Sequence, residues 1–288
     1  MVSFFAVIFI FAIKRLISHK DSIFILQMTL SGTLFTGHIV DKLEKVDSTN
    51  RYALDLLKQR PPVEGYTVWA LEQFAGRGQR GNSWLTEPRT NLTFSIILHP
   101  RFLSVNEQFW LTKVMALAVA EFVSSFLKSA SLNVAIKWPN DIYVNDQKIA
   151  GILIENVLEQ STIKFSVAGI GININQTSFD PSVPNATSLK LLTGSAFELE
   201  DCLNRIFIPI EKFYLELRTG NYKKIDEAYH KLLYRRGVLS NISINGKPCK
   251  GTIKGVSATG QLLVDTDTGV LNSNESLELS DVKHLVFL

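Results

Sequence analysis

The glycine-rich segment GRGQRGNSW, residues Gly76–Trp84, is the part of this sequence best suited to bind an anionic ligand. Its glycines allow the backbone to approach a ligand closely, and successive N–H groups of such a loop can form an anion-binding nest. Arg77 and Arg80 can each bind a phosphate or carboxylate through two parallel hydrogen bonds, and Trp84 offers a flat face for a base. The segment predicts a mobile loop that wraps a nucleotide phosphate, with a solvated surface turn as the alternative. It is neither a Walker A loop nor a convincing dinucleotide fingerprint, because no Gly-Lys-Ser/Thr follows and no βαβ pattern surrounds it.

A second group of candidate residues lies in KWPNDIYVNDQKIAGILIE, residues 137–155. Lys137 and Lys148 stand before and after the turn of a predicted hairpin, and Lys148 has apolar neighbours in its strand. Burying an ammonium without a partner is costly, and an anionic ligand would remove that cost. The alternative is that Lys148 lies on the solvated face of the strand. Asp141 is either a turn residue or a carboxylate that orients a lysine or a metal ion.

The elements that would hold these residues alternate between strands and helices. DSTN, residues 47–50, predicts a turn into a helix with Asp47 or Ser48 as the N-cap, and the strand that follows this helix delivers Gln73 to the glycine loop. Gly169 and Gly171 in a later strand indicate close backbone approach. Strands are predicted over 38–46, 67–73, 91–100, 142–144, 148–155 and 162–175, with another leading into Lys137, and helices over 51–59, 107–128, about 199–218 and about 222–236.

The two ends of the chain differ from its middle. After Gly237, short strands are separated by turns at Asn245-Gly246, Thr259-Gly260 and Thr268-Gly269, a pattern typical of a small β-barrel or sandwich. At the other end, residues 2–13 form an apolar run too short for a confident membrane span, and its basic residues follow it, unlike those of a signal peptide. A weak anchor, an associated helix and an upstream extension from a misassigned start are the alternatives. We favour the last, with Met28 as the start and residues 1–27 dispensable.

The length, composition, net charge and cysteine content of the chain restrict the class of protein to which it can belong. The chain has 288 residues, 46% of them hydrophobic and 20% charged, as expected of a globular protein with one large or two ordinary domains. A net charge of +3 gives no reason to expect nucleic-acid binding. The two cysteines, Cys202 and Cys249, match no metal-binding spacing and favour a reducing, cytoplasmic location.

Taken together, these motifs resemble the biotin protein ligase family. GRGQRGNSW, KWPND and KIAGILIE occur in that family's order, DSTN and GIGININ stand where the family has them, and the final strands resemble its small SH3-like domain. The resemblance covers roughly residues 38–288. It implies an α+β fold in which a mixed sheet packs with helices, a class II synthetase-like catalytic domain over 38–236, an SH3-like β-barrel over 237–288, and an extension over 1–37 that need not belong to the native fold.

The resemblance also implies an ATP-dependent biotin–[acetyl-CoA-carboxylase] ligase. Such an enzyme converts biotin and ATP, with Mg²⁺, into biotinyl-AMP and then transfers biotin to a lysine of a biotin carboxyl carrier protein. ATP and biotin are substrates, and no tightly bound prosthetic group is expected. The implied catalytic residues are Arg77, Lys148 and Asp141, with Asp141 also near Mg-ATP. The implied biotin-binding residues are Ser48, Thr49, Asn50, Gln73, Gly76, Arg77, Gly78, Gln79, Lys148 and Gly151, and the implied ATP- or adenylate-binding residues are Arg77, Arg80, Trp84, Lys137, Asn140, Asp141 and Asn173.

Two departures from the family pattern qualify the resemblance. Gln79 stands where many members have arginine and brings no charge, so retention of the adenylate should depend more heavily on Arg77 and Arg80. Only 37 residues precede His38, and they lack the pattern of the winged helix-turn-helix that repressor members carry, so we expect a monofunctional enzyme without DNA or membrane binding. The alternatives are a lipoate or octanoate ligase on a related fold and a non-catalytic binder of biotin or its carriers.

Overall fold

A mixed eight-stranded sheet forms the centre of the protein. The computed structural model describes residues 24–27, 32–244, 247–266 and 285–287. The strand order is β1-β2-β3-β4-β8-β7-β6-β5, and β2 and β3 are parallel while all other neighbours are antiparallel. The strands are β1 Phe24–Gln27, β2 Ile39–Val46, β3 Thr67–Gln73, β4 Leu92–Leu98, β5 Val134–Lys137, β6 Asp141–Val144, β7 Gln147–Glu159 and β8 Thr162–Ile172. The predicted mixed sheet packed with helices is therefore confirmed.

The described residues form five α-helices, α1 Thr49–Gln59, α2 Phe109–Ser124, α3 Leu189–Thr193, α4 Leu199–Arg218 and α5 Tyr222–Leu232. Helix α1 packs on one face of this sheet, and α2, α4 and α5 pack on the other. Because side chains alternate along a strand, Val68 packs with α1 on one face and Trp69 packs with α2 and α4 on the other. The apolar face of α1 buries Ala53 and Leu57 against the sheet. The face that carries α1 is also the face on which the candidate site lies.

Helix α2 is buried on nearly every side. Its Lys113 is 1% exposed, bonds Asp226 of α5 at 2.6 Å, and lies 4.3 Å from the Trp110 ring centroid. The helix is shorter at both ends than the span of 107–128 predicted from its apolar spacing. Ser104 and Glu107 form a capping box on a short 3₁₀ turn before it, and the helix ends at Ser124. None of the helices in the described parts of the chain has the length and apolar character needed to cross a membrane.

Two more differences from the sequence-based elements involve short or terminal turns. Helix α5 ends at Leu232, several residues before the predicted 236, and α3 was not predicted. With five residues, α3 is too short to show a helical apolar period, and its start is marked only by the capping side chain of Ser188. Helix boundaries depend on such local caps, which a periodic pattern does not encode.

The C-terminal strands form a second, four-stranded sheet in the order β11-β10-β9-β12, with β9 Leu239–Ile244, β10 Lys247–Val256, β11 Leu262–Thr266 and β12 Leu285–Phe287. This sheet packs against the helical layer, and its buried apolar residues belong to the same core cluster as α2 and α5. Trp138 Nε1 donates to Gly260 O at 2.9 Å, and Val256 N donates to His230 Nε2 at 2.9 Å. The predicted turn at Thr259-Gly260 is present, and the turns at Asn245-Gly246 and Thr268-Gly269 lie outside the described residues.

The chain before His38 contributes to the described structure. Phe24–Gln27 pairs with β2 at the edge of the large sheet. The backbone N–H groups of Leu34, Phe35 and Thr36 all donate to the buried Glu211 carboxylate of α4. Residues 1–23 and 28–31, including the alternative start Met28, lie outside the described part, so the dispensability of residues 1–27 stays a prediction.

Asp41 of β2 is a buried acid whose charge the fold does not fully compensate. It is 3% exposed, and its Oδ1 has no hydrogen-bond partner among the described atoms. Burial raises the pKa of the Asp41 carboxyl, and a hydrogen bond from Tyr66 opposes this only in part. The native state therefore holds this proton to higher pH than the unfolded chain does. The contribution of Asp41 to stability falls as pH rises above the unfolded pKa of about 3.9.

We therefore expect Asp41→Asn to stabilise the protein at pH 8. The neutral amide avoids a buried, partly unpaired charge, and the free energy of unfolding should rise by about 1 kcal/mol. The gain should shrink at pH 4.5, because the raised pKa makes the native carboxyl take up its proton at a higher pH than the unfolded chain does. Urea unfolding at both pH values measures it, with Asp55→Asn on the exposed side of α1 as the control. A wild type that remains the more stable protein at pH 8 would contradict the assignment of Asp41 as a destabilising charge.

Candidate active site

A cleft opens on the α1 face of the large sheet, between the start of α1, the glycine loop and strands β6, β7 and β8. Thirteen of the residues that line it, Trp84 included, carry polar or charged side chains that can interact with a ligand, and the floor is partly glycine. The lining residues are Ser48, Thr49, Asn50, Gln73, Arg77, Gly78, Gln79, Asn82, Ser83, Trp84, Thr93, Asn140, Asp141, Lys148, Gly151, Ile152, Leu153, Gly169, Ile170 and Gly171.

The start of α1 forms one wall of the cleft. Ser48 is the N-cap, and its side chain accepts from Arg51 N at 3.5 Å. Thr49 N donates to Gln73 Oε1 at 2.9 Å, so the end of β3 is joined to the helix start. The positive end of the helix dipole at this point suits an acceptor group on a ligand.

The amide of Asn50 is fixed from both sides in this wall. Its Oδ1 accepts from Ser95 Oγ at 2.6 Å, and its Nδ2 donates to Leu153 O at 3.1 Å and to Glu155 Oε2 at 2.8 Å. Gly169 leaves room for it, because a Cβ at that position would lie 2.1 Å from Asn50 Oδ1. The close approach predicted at Gly169 is therefore a contact with a cleft side chain.

The glycine loop closes over the cleft with Gln79–Gly81 in a 3₁₀ turn. Gly81 has φ +81°, which favours glycine, and a Cβ on Gly76 would lie 2.3 Å from Trp84 O and 2.4 Å from Gln73 Nε2. Arg77 Nη2 bonds Glu155 Oε2 at 2.7 Å. The backbone of Arg80 belongs to the turn, and its side chain lies outside what the structure describes.

The indole of Trp84 lies on a floor made of two glycines. A Cβ at Gly171 would be 2.3 Å from Cε2 of this ring, and a Cβ at Gly151 would be 3.0 Å from its Cζ3. The Trp84 Nε1 atom is buried and has no hydrogen-bond partner among the described atoms. The ring thus depends on the absence of side chains at these two positions, and its N–H remains available to an acceptor.

Lys148 and Asp141 form an ion pair in the cleft. Lys148 Nζ lies 2.8 Å from Asp141 Oδ1, and the two side chains are 33% and 23% exposed. Lys148 Nζ is also 5.6 Å from the centroid of the Trp84 ring. The neighbouring Asn140 donates through Nδ2 to Ile152 O at 2.6 Å, which holds the KWPND turn against β7. Lys148 is therefore a cleft residue with a carboxylate partner.

Four of the residues that the sequence proposed are placed differently or incompletely. Lys137 Nζ donates to Tyr143 Oη at 3.1 Å outside the cleft lining, and burial lowers its pKa. Asn173 is 4% exposed and donates to Thr187 O at 2.9 Å. Gly76 lies in the loop without lining the cleft, and the side chain of Arg80 is not described. The other proposed residues lie together in the cleft.

The structure brings to the site several residues that the sequence motifs did not indicate. Thr93 lines the cleft, and Ser95 donates to both Thr49 and Asn50 from the same strand. Glu155 follows Gly151 and Leu153 at two-residue spacing on β7, on the face that looks into the cleft. Polar residues on alternate positions of an otherwise apolar strand were the available signal.

Comparison with known proteins identifies relatives over the same region. A model of the biotin/lipoate A/B protein ligase family matches residues 43–173, a span that contains every residue of the cleft lining. The chain is 31% identical over 233 residues to the bifunctional ligase/repressor BirA of Bacillus spizizenii, covering 78% of this chain and 69% of that protein. It is 29% identical over 233 residues to the biotin--[acetyl-CoA-carboxylase] ligase of Paracoccus denitrificans, covering 79% and 94%.

Solved structures agree with these relatives. A biotin protein ligase from Aquifex aeolicus, in complex with biotin and ATP, is similar to this chain with a TM-score of 0.65 and 25% sequence identity. The likeness covers 79% of this chain and 94% of that one. The large sheet and its helices therefore share their architecture with a biotin protein ligase that was solved with biotin and ATP.

Proposed function

The chain belongs to the biotin protein ligase family, and we propose from this premise that it is a biotin–[acetyl-CoA-carboxylase] ligase. The observation that carries the proposal is the cleft itself, which gathers Arg77, Lys148 and Asp141 with the polar wall at the start of α1. Asn50 contacts Leu153 of β7, and Asp141 pairs with Gly151 two residues earlier on the same strand. The polar wall and the charged end of the cleft are therefore separated by about 7 Å along β7. An elongated ligand with a polar ring at one end and an acid at the other suits this arrangement.

In the first step, a biotin carboxylate oxygen attacks the α-phosphorus of ATP. A carboxyl–phosphate bond forms, the bond to the β-phosphate oxygen breaks, and pyrophosphate leaves. Two anions must meet, so Lys148 and Arg77 lower their repulsion and stabilise the charge that develops on the phosphate. The Lys148–Asp141 pair holds the ammonium in the cleft before the ligand arrives. Mg²⁺ commonly binds through one or two protein carboxylates together with the phosphates of ATP, and Asp141 would supply such a carboxylate. The ion would neutralise phosphate charge there.

The polar wall would hold the ureido ring of biotin. Ser48, Thr49, Asn50 and Gln73 supply donors and acceptors for it, and Gly151, the remaining proposed biotin-binding residue of the sheet, forms part of the cleft floor. From the glycine loop, Gly76, Gly78 and Gln79 would approach the rest of biotin through backbone and amide groups. The proposed assignments on the nucleotide side are stacking of adenine on Trp84 and contacts to ATP or the adenylate from Arg80 and Asn140. Lys137 and Asn173 lie outside the cleft lining, so a part in nucleotide binding would require their side chains to leave Tyr143 and Thr187.

In the second step, the amino group of a carrier lysine attacks the mixed anhydride, an amide bond forms, and AMP leaves. The partner would be the biotin carboxyl carrier protein of acetyl-CoA carboxylase or a related carboxylase. Closure of the glycine loop would keep water from the anhydride until the carrier arrives. A cytoplasmic location and the absence of DNA binding stay predictions.

The domain assignments form a further part of the proposal. We place the catalytic domain at 38–236, of the class II synthetase-like type, and the C-terminal domain at 237–288. The supporting observation is the separate four-stranded sheet that begins at Leu239, directly after the boundary. Closure of this sheet into an SH3-like barrel is what the family resemblance implies.

The proposed function predicts pyrophosphate release that depends on biotin and MgATP. It also predicts that a carrier domain gains the mass of one biotinyl group, while a carrier with its target lysine replaced by arginine does not. Parallel reactions with lipoate and octanoate test the alternative ligases. Release with those acids and none with biotin would favour the alternative, and biotin binding without release would indicate a non-catalytic binder.

A further inference from the structure

Glu155 is a cleft-side carboxylate whose two partners both belong to the proposed biotin site. Its Oε2 atom accepts from Asn50 Nδ2 at 2.8 Å and from Arg77 Nη2 at 2.7 Å. A single oxygen therefore connects the start of α1 and the glycine loop to strand β7. It is the third in the alternating series Gly151, Leu153, Glu155, two members of which line the cleft.

The Asn50 side of this junction is buried. Asn50 is 3% exposed, its Oδ1 accepts from Ser95, and one N–H donates to the Leu153 carbonyl. Its remaining N–H has Glu155 as its acceptor. Removing that acceptor would leave a buried donor unpaired and free the amide to rotate, because a buried polar group without a partner is unfavourable.

The Arg77 side is half exposed and belongs to the glycine loop. The side chains of Arg77 and Glu155 are 44% and 27% exposed, so solvent screens their attraction without removing it. The backbone hydrogen bonds described within Gly76–Trp84 join loop residues to one another, as in Gly78 N to Asn82 O and Trp84 N to Gly76 O. The bond to Glu155 instead connects the loop to the sheet. It uses one of the five N–H donors of Arg77, so the other donors can bind a ligand at the same time.

We infer that Glu155 is a positioning residue, which holds Arg77 over the cleft and Asn50 within it and so limits the escape of the adenylate. This inference rests on the proposed function for its substrate. Glu155 acts through Arg77 and Asn50 and does not itself touch the reacting atoms. The negative charge of Glu155 attracts Arg77 of the glycine loop, and its oxygen accepts a hydrogen bond from Asn50 of the α1 wall. Two substitutions separate these roles.

Glu155→Gln keeps an acceptor for Asn50 and removes the charge that holds Arg77. We expect biotin transfer to a bystander protein such as serum albumin, per pyrophosphate released, to rise about tenfold, as for loss of one charge-assisted contact. The KM for biotin should change less than about threefold. Glu155→Ala removes both contacts, so biotin transfer to the bystander protein should rise similarly. The KM for biotin should also rise about tenfold.

Glu159→Gln and Glu159→Ala are matched controls, since Glu159 lies on the same strand and also pairs with basic residues, Lys164 and Arg101. Neither should change biotin transfer to the bystander protein or the KM for biotin. A Glu155→Gln protein that biotinylates the bystander no more than wild type and the controls do would overturn the inference.

Limited trypsin digestion separates this inference from the proposed function. The ligand-free Glu155→Gln protein should be cleaved after Arg77 or Arg80 several-fold faster than wild type, because its loop is less restrained. This result needs no turnover. Equal cleavage rates would overturn the positioning role even in an active enzyme. A wild type that releases no pyrophosphate with biotin would refute the proposed function while the digestion still decides the role of Glu155 in holding the loop.

Discussion

Replacing Lys148 with alanine should reduce adenylate formation about 100-fold or more, because it removes a cation placed where two anions must meet. Loss of one preorganised donor at developing charge costs on the order of 2–4 kcal/mol of transition-state stabilisation. The substitution also leaves Asp141 without its 2.8 Å partner, so a carboxylate would then repel the incoming phosphate. Biotin-dependent exchange of pyrophosphate into ATP measures the first step by itself.

Lys164→Ala is the control for this experiment. Lys164 lies on β8, its side chain is 33% exposed like that of Lys148, and it pairs with Glu159 away from the cleft. Its replacement should leave pyrophosphate exchange unchanged, since an exposed ion pair of this kind contributes little. Near-normal exchange by Lys148→Ala would show that the cleft lysine takes no part in the chemistry.

The sequence predicted the strands because they depend on local patterns, and it predicted the gathering of the motifs through the family resemblance. Alternation along β3 and β8 and the N-cap at Ser48 are encoded within a few residues of each position. The glycine loop and the KWPND turn were recognisable as motifs, and the structure brings Arg77, Lys148 and Asp141 to one cleft. The resemblance, more than the periodicity, had indicated that these distant segments would meet.

What the sequence could not predict depends on pairing between distant segments. The register that sets Gly151 opposite Gly171 places both glycines under Trp84, and neither position alone indicates this. Glu155 becomes relevant only when Asn50 and Arg77, about 100 and 80 residues away along the chain, reach it across the cleft. The burial of Lys113 in α2 likewise depends on a distant partner, Asp226, which lies on another helix.

Adding one methyl group at Gly171 should lower kcat/KM for ATP about tenfold or more. The new Cβ would lie 2.3–2.7 Å from three atoms of the Trp84 indole, too close for any contact, so the ring must lift off the sheet. Stacking of a base on an aromatic side chain contributes about 1–3 kcal/mol, which sets the scale of the loss. The backbone at Gly171 has no positive φ, and alanine is allowed in a strand, so the effect should arise from this contact.

Two further variants test whether Trp84 transmits this effect. Gly151→Ala brings its Cβ only to 3.0 Å from the ring, so its effect should have the same sign and be clearly smaller. In a Trp84→Ala background, Gly171→Ala should add little, because the side chain it displaces is already gone, and the double-mutant cycle should show strong non-additivity. Pyrophosphate exchange at varied ATP measures all four combinations. If the two losses simply add, the methyl group acts on the cleft by another route, and Trp84 does not form the adenine platform in the way its glycine floor indicates.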